Sequence, residues 1–320
     1  MKSFFDLKPH DILDSVDSLG LQTTAELIQL NSYENRVFDV GVEPSPLVFN
    51  ANRIIAKFYR PNRWTYEAIL EEHQFLKELA IEGIPAVTPI EFNNGSTIKN
   101  CDGIFMTIFP KVKGRMPQEF LKNELKQVGR RLAQIHNIGE RRHTKHRPFV
   151  GTDGYGGWES LKRLSNVIVP ELWTRYEDAA IEILEHVEDS LIHSQQFTRI
   201  HGDCHKGNLL HTGDEFFFVD FDDLCVGPAV QDFWMLIPGE DDHSKIERDE
   251  LIEGYEELRN FNHEEWEIVP LLKALRIIGY SAWIAQRWED PSFPKLFPDF
   301  HSYKYWAIET ESLEKIAWSL

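Results

Sequence analysis

The segment HGDCHKGNLLHTGDEFFFVDFDD, residues 201–223, decides how this chain is read. Its polar and charged residues are too dense for a core strand, and its apolar runs are too long for a surface loop. NLLH and EFFFVD, separated by a turn around Gly213, read as two short strands of a hairpin. A hairpin brings the ends of its strands together. Asp203 and Asn208 lie five apart in the loop that precedes it, and Asp220 stands twelve further on, where EFFFVD ends. The three oxygen donors could then converge on one spot.

Phosphoryl transfer wants such a set. Magnesium prefers hard oxygen ligands and keeps several waters, so one carboxylate and one amide oxygen from the protein suffice. A second carboxylate, off the metal, can accept the proton of an attacking hydroxyl. Asp203 fits that second role, and Asn208 with Asp220 fits the first. The spacing from Asp203 to Asn208 equals that of the protein-kinase catalytic loop. A plain polar hairpin turn would account for 201–223 alone. The upstream half weighs against it. A nucleotide kinase needs a strand lysine for the phosphates and a helix glutamate to hold that lysine. Lys57 sits mid-strand in RIIAKFY, 53–59, and the next helix offers Glu71 and Glu72. An edge-strand lysine that blocks aggregation is the bland alternative for Lys57.

Outward from these residues the chain has two textures. AELIQLNSYENRVFDVGV reads as two strands joined by a polar turn at Asn31–Asn35, and RIIAKFY as a third, ended by Pro61. TYEAILEEHQFLKELAIEGI, 65–84, is an amphipathic helix. Thr65 caps it, Ala68, Ile69, Phe75, Leu76 and Leu79 form its stripe, and Gly83 stops it. AVTPIEF and GIFMTIFP complete a five-stranded set. DILDSVDSLGL, 11–21, precedes it as a helix. After Pro110 the pattern is helical: 125–139 with a glycine stop, 168–193 after Pro170, PAVQDFWMLI, DELIEGYEELRNF, EWEIVPLLKALRIIGYSAWIAQRWED and YKYWAIETESLEKIAWSL. The expectation is an α+β, two-lobed chain: residues 1–108 a nucleotide-binding lobe, residues 109–320 a catalytic and acceptor-binding lobe.

Bulk properties narrow the partners. The chain of 320 residues carries 34 basic and 52 acidic side chains, a net charge of −18, which argues against duplex nucleic acid as a partner. The basic run ERRHTKHR, 140–147, reads as a solvated loop, with a phosphoacceptor or partner site as the alternative. No apolar run approaches a membrane span, and MKSFFDLKPH lacks the form of a secretory signal. Three cysteines, Cys101, Cys204 and Cys225, make no zinc-like spacing and no disulfide framework. A monomer in the reducing cytoplasm is expected.

With these motifs the chain resembles the aminoglycoside phosphotransferase and choline kinase family, which shares the two-lobed fold of eukaryotic-like protein kinases. HGDCHKGNLL is similar to the family's HGDxHxGN loop, FFFVDFDD to its metal-binding strand, GPAVQDFWML to the helix start that follows, and GRRLAQIH to the helix before the interlobe cleft. LNSYENRVF, KFYRPNRWTYEAILEEHQF, HGDCHKGN, VDFDDLCVGPAVQDFWML and DPSFPKLFP resemble a branch of bacterial stress-response kinases that act on serine or threonine hydroxyls of proteins. The resemblance runs from about residue 10 to about residue 310.

The resemblance implies ATP and Mg2+ as cofactors and assigns roles. Asp203 accepts the proton. Asn208 and Asp220 hold the metal, with Asp220 also bridging to the phosphates. Lys57 contacts phosphate, and Glu72, with Glu71 as the alternative, holds Lys57. Ser32 touches ATP, and backbone groups around Met106–Phe109 meet the adenine. There are departures: Gly202 stands where protein kinases place an arginine, and the turn Asn31–Asn35 contains no glycine, so side-chain and amide donors must cover the phosphates. Asp232 is expected to anchor the loop backbone, Asp222 and Asp223 to be solvated turn carboxylates with a second metal as the alternative, His201 to be packed and hydrogen-bonded, and Cys204 to be a small buried residue with a redox-sensing thiol as the alternative. The motif does not see the acceptor's size. A small-molecule alcohol is therefore the alternative to a protein acceptor, and a pseudokinase the alternative to an enzyme.

Overall fold

The computed structural model describes residues 4–192 and 197–320. His193, the last residue of the helix expected over 168–193, lies outside them. The chain divides into two compact units. One comprises residues up to 147 with 205–224 and 240–259, the other 148–204, 225–239 and 260–320.

The first unit is built on an antiparallel sheet of β1 (Thr23–Leu30), β2 (Arg36–Val42), β3 (Arg53–Phe58), β4 (Lys99–Cys101) and β5 (Ile104–Pro110), in the order β1-β2-β3-β5-β4. Register pairs Val37 with Lys57 and Lys57 with Thr107, so the lysine sits on the central strand, inside the sheet. It is not an edge lysine. Alternating apolar residues of β2, β3 and β5 form the core with Ile12 and Val16 of helix α1 (Pro9–Asp17). The buried carboxylate of Asp39 is held by Arg53 Nε at 2.7 Å and Lys111 Nζ at 2.6 Å. Helix α2 (Tyr66–Ile81) starts where expected: Thr65 Oγ1 accepts from the Ala68 N–H at 3.2 Å. It stops as expected at Gly83, whose φ of +72° suits a residue without Cβ. The expected stripe is buried, and Glu72 and His73 are buried with it.

Two expectations fail locally. AVTPIEF is not a strand. Pro89 has no N–H to give a ladder, and the segment joins the sheets only through an isolated bridge from Ala86 to Phe218 and a bond from Ile90 N–H to Ile108 O, while Phe92 turns into a local loop with Ser96. The fifth strand is instead β4, folded back on β5 through Asp102 and Gly103, both at positive φ, the turn chemistry that Asp-Gly favours. Helix α3 (Glu124–Glu140) does not stop at Gly139 but carries it buried inside. α3 packs on the helix Asp242–Glu256 through a glycine pair. A methyl on Gly129 would lie 2.1 Å from Leu251 O, and one on Gly254 would lie 2.1 Å from Lys126 O. Lys126–Glu253 and Arg130–Glu257 bridge the pair outside this contact.

The unit is completed by the hairpin foreseen in 201–223. Leu209–His211 pairs antiparallel with Phe216–Phe218, and Leu209 faces Phe218.

The second unit is mostly helical. Its helices are Trp158–Leu164, Pro170–Ile192, Val230–Leu236, Val269–Gln286, Phe293–Leu296 and Tyr303–Ala317, with a two-stranded sheet of Thr198–Ile200 and Cys225–Gly227. Tyr176, Phe233, Phe293, Phe300 and Trp306 fill its core. One continuous helical stretch, His263–Gln286, is long and apolar enough to cross a membrane by length and composition, contrary to the sequence reading. Its most apolar window is 56% buried inside the fold, as befits a core helix.

Candidate active site

In the first unit, the hairpin register brings together two of the three oxygen-bearing residues singled out in the sequence, Asn208 and Asp220. Val219 N–H donates to Asn208 O at 3.0 Å, which sets Asn208 and Asp220 at the same end of the hairpin. Asp220 adopts a left-handed conformation, φ 59° and ψ 61°, rare for a residue with a side chain and common at functional turns. It turns its carboxylate toward the sheet, where Lys57 Nζ lies 2.9 Å from Oδ1. The Asp220 side chain stays 50% exposed. A half-exposed carboxylate at the hairpin end that also carries Asn208 fits magnesium, which prefers hard oxygen ligands and keeps several waters. Among the described residues no group of three or more His, Cys, Asp and Glu side chains could hold a metal.

Lys57 is almost wholly buried, and its partners differ from those expected. Its ion pairs among the described residues are with Asp220 and with Asp222, whose Oδ1 is 3.2 Å away. Glu72 belongs instead to Arg147, which donates from Nη2 at 2.8 Å. Glu71 accepts the backbone N–H groups of Lys145 and His146. Glu72 acts on Lys57 only through its field: burial alone would lower the lysine pKa, and the charges of Asp220, Asp222 and Glu72 raise it well above its ordinary value. Burial raises the Glu72 pKa, partly offset by Lys57 and Arg147.

Asp222 corrects the sequence reading most. It is not a solvated turn residue but 3% exposed. Besides Lys57 it receives Asn35 Nδ2 at 3.0 Å and the guanidinium of Arg63. Burial would raise its pKa, but Arg63, Lys57, Arg147 and the Asn35 amide together hold it far below the usual carboxylate range. Asp223 is half-exposed and pairs with Arg63 Nη2 at 2.5 Å. Arg147 closes the cluster. The basic run 140–147 was expected to be solvated, yet this guanidinium is buried. It donates to Ala68 O at 2.8 Å, Asp222 O at 2.6 Å and Glu72, and it lies over the Trp64 ring at 4.4 Å.

The glycine-free turn 31–35 is fixed by side chains. Asn35 N–H donates to Ser32 Oγ at 3.3 Å, and Asn35 Oδ1 accepts from the Arg60 N–H at 3.1 Å. Arg60 also donates to Glu34 O at 3.0 Å and Tyr33 O at 3.3 Å. Lys206–Asn208 forms a turn of 3-10 helix capped by His205, whose Nδ1 accepts from the Gly207 N–H. Met106 and Ile108 are buried on β5, between β3 and β4.

Asp203 belongs to the second unit. Both N–H groups before it are held by Asp232, which is fully buried: His201 donates to Oδ2 and Gly202 to Oδ1, each at 2.9 Å. This is the backbone anchor expected of Asp232. Gly202 needs φ +82°, which explains why glycine replaces the kinase arginine. The Asp203 carboxylate lies 3.0 Å from Arg276 Nη1, a partner the sequence did not reveal because it comes from a helix seventy residues on. His201 is buried and hydrogen-bonded, as expected. Cys204 is buried too, and burial with the nearby Asp232 and Asp203 charges pushes its thiol well up, away from thiolate chemistry.

The chain is 37% identical to stress response kinase A of Escherichia coli (strain K12) over 96% of its own length and 92% of that protein's. It is 35% identical to the serine/threonine protein kinase RdoA of Salmonella typhimurium, with the same shares covered. Among solved structures it is similar to amicoumacin kinase in complex with AMP-PNP, Ca2+ and Ami, with TM-score 0.75, 16% identity and 96% and 92% of the two chains covered. It is also similar to a microcompartment-associated aminopropanol kinase, with TM-score 0.66, 17% identity and 95% and 94% covered. At such identities these two likenesses speak for the fold alone. The family model described as the phosphotransferase enzyme family matches residues 26–269. A kinase-like α+β fold, the motif loop on its hairpin and relatives over nearly the whole length agree: the chain belongs to the phosphotransferase enzyme family.

Proposed function

We propose that this protein transfers the γ-phosphoryl group of ATP to a serine or threonine hydroxyl of a protein, as part of a bacterial stress response. The observation that carries the phosphoryl-transfer reading is the meeting of a central-strand lysine with the hairpin-end aspartate, Lys57 Nζ to Asp220 Oδ1 at 2.9 Å. The name of the Salmonella relative, a serine/threonine protein kinase, supports the protein acceptor, and that of the E. coli relative supports the stress response. In this reading Lys57 grips the nucleotide phosphates, Ser32 covers them from the turn 31–35, and backbone groups of Met106–Phe109 meet the adenine. Asn208 and Asp220 hold Mg2+, which supplies neutralisation of the charge on the transferring phosphoryl group. Asp203 accepts the hydroxyl proton, and Asp232 orients its loop. Glu72 contributes at a distance, through its charge. The lobe division 1–108 and 109–320 and a cytoplasmic, monomeric chain belong to the same proposal.

The alternative acceptor is a small-molecule alcohol. One feature speaks against a cationic amino alcohol: Arg276 places a positive charge 3.0 Å from the proposed base, Asp203. The test is incubation of the pure protein with γ-labelled ATP and Mg2+, with and without a generic protein acceptor. Label on protein that disappears in Asp203→Ala supports the proposal. Label found only in added small alcohols moves the acceptor to the second class. Nucleotide binding without turnover makes the chain a pseudokinase.

A further inference from the structure

We infer that Asp222, rather than the helix glutamate Glu72, is the positioning carboxylate of Lys57, and that through Asn35 it ties the Ser32 turn to that lysine. The inference deepens the proposed phosphoryl transfer and rests on it. Three side chains from the turn, strand and loop of residues 35–63, all far in sequence from Asp222, end on this one buried carboxylate. Lys57 of β3 reaches Oδ1 at 3.2 Å, Asn35 of the turn between β1 and β2 donates to Oδ2 at 3.0 Å, and Arg63 of the loop after β3 pairs with the same oxygen. Its carbonyl takes a fourth contact, Arg147 Nη1 at 2.6 Å. Glu72 is not available, because its carboxylate is committed to Arg147.

The two aspartates that flank Phe221 therefore divide the work. Asp220 is half-exposed, and a bound cation would compete with Lys57 for it. Asp222 is buried, and both its oxygens are already engaged. Were Asp220 given over to a bound cation, Asp222 would remain as the counter-charge that keeps the ammonium in the sheet. The same carboxylate replaces glycine-loop plasticity by a tether. Asn35 hangs on Asp222, Ser32 hangs on the Asn35 N–H, and Arg60 pins the carbonyls between them. A lysine and a covering turn fixed to one carboxylate are positioned together.

The test compares the full-length wild type with Asp222→Asn, Glu72→Gln and Asn35→Ala. It measures ATP KM and kcat, the Mg2+ activation constant, and hydrogen exchange of residues 31–35 without nucleotide. Removing one partner of a buried charge set is costly, so Asp222→Asn raises ATP KM by about tenfold or more, well beyond Glu72→Gln. Asn35→Ala raises ATP KM several-fold by loosening the turn and changes kcat less. Both Asp222→Asn and Asn35→Ala speed exchange in 31–35, while Glu72→Gln acts mainly on thermal stability through Arg147. Equal or larger KM effects in Glu72→Gln overturn the inference. So does an Asp222→Asn variant that alters only the Mg2+ constant, since Asp222 would then be a metal ligand. If Asp222→Asn does not fold, Asn35→Ala decides: unchanged exchange in 31–35 and unchanged ATP KM sink the tether. A wild type that never turns over ATP refutes the phosphoryl-transfer reading itself, and the exchange data still report on the tether.

Discussion

Replacing Arg147 by methionine gives the sharpest stability experiment. The change keeps a long apolar stem against Trp64 and removes the charge. The guanidinium makes three hydrogen bonds, to Ala68 O, Asp222 O and Glu72 Oε2, and neither its side chain nor that of Glu72 sees solvent appreciably. The dominant loss is the orphaned Glu72 carboxylate. Breaking a buried ion pair from one side costs about 3–5 kcal/mol, and the two freed carbonyls add to it where water cannot reach them. The expected destabilisation of Arg147→Met is therefore about 4 kcal/mol at neutral pH. Two refinements make the reasoning vulnerable. First, Arg147→Met combined with Glu72→Gln removes both charges, and should be less damaged than the single arginine variant by about 1–2 kcal/mol. Second, the sign of the pH dependence is fixed. Burial already raises the Glu72 pKa, and losing Arg147 raises it further. A carboxyl whose folded pKa lies above its unfolded value loses stabilisation as pH rises between the two. The deficit of Arg147→Met must then be smaller at pH 5 than at pH 8. Urea denaturation followed by tryptophan fluorescence at both values measures it. A loss below about 1 kcal/mol, a strictly additive double variant, or a deficit that grows toward acid would refute the account.

Gly129→Ala puts a methyl 2.1 Å from Leu251 O, so the α3 crossing with Asp242–Glu256 must open; urea denaturation should show a loss of about 1–3 kcal/mol or more, and an unchanged midpoint would refute the close contact. Asp232→Ala releases the His201 and Gly202 N–H groups and lets the Asp203 loop drift; kcat should fall by about a hundredfold with little change in ATP KM, and a KM-only effect would count against the anchor role. Burial pushes Glu309 up from 4.5 to about 7, so the fold favours its protonated form and loses stability as pH rises between those values. Glu309→Gln should remove that slope and gain about 1–2 kcal/mol at pH 8, after allowance for partial exposure, with no gain at pH 4; thermal melts at the two pH values read the difference.

What the sequence made legible was local. Thr65 and Gly83 frame α2 because a cap and a left-handed stop act within one turn of the helix. The hairpin from Leu209 to Phe218 follows from two apolar runs and a turn, and its register alone sets Asn208 and Asp220 at one end. β4 was within reach too, since Asp102-Gly103 is a hairpin turn written in two residues. The charges of the site were another matter. Asp222 and Asp223 look alike in the sequence, yet one is buried and the other half-exposed, because the cations that make burial tolerable, Lys57 and Arg63, come from about 160 positions away. The resemblance preferred Glu72 to Glu71 and gave it Lys57 as partner, but Arg147, 75 positions on, takes that carboxylate instead. A buried carboxylate takes whichever cation offers better geometry. A planar guanidinium that also satisfies two backbone carbonyls uses more of its donors than a single ammonium would. Once Arg147 has Glu72, electrostatic compensation leaves Lys57 to the aspartates, and of those only Asp222 is shielded from solvent. Motifs identify which residues are present at such a site; how its charges pair is decided by the whole set of buried cations and anions at once.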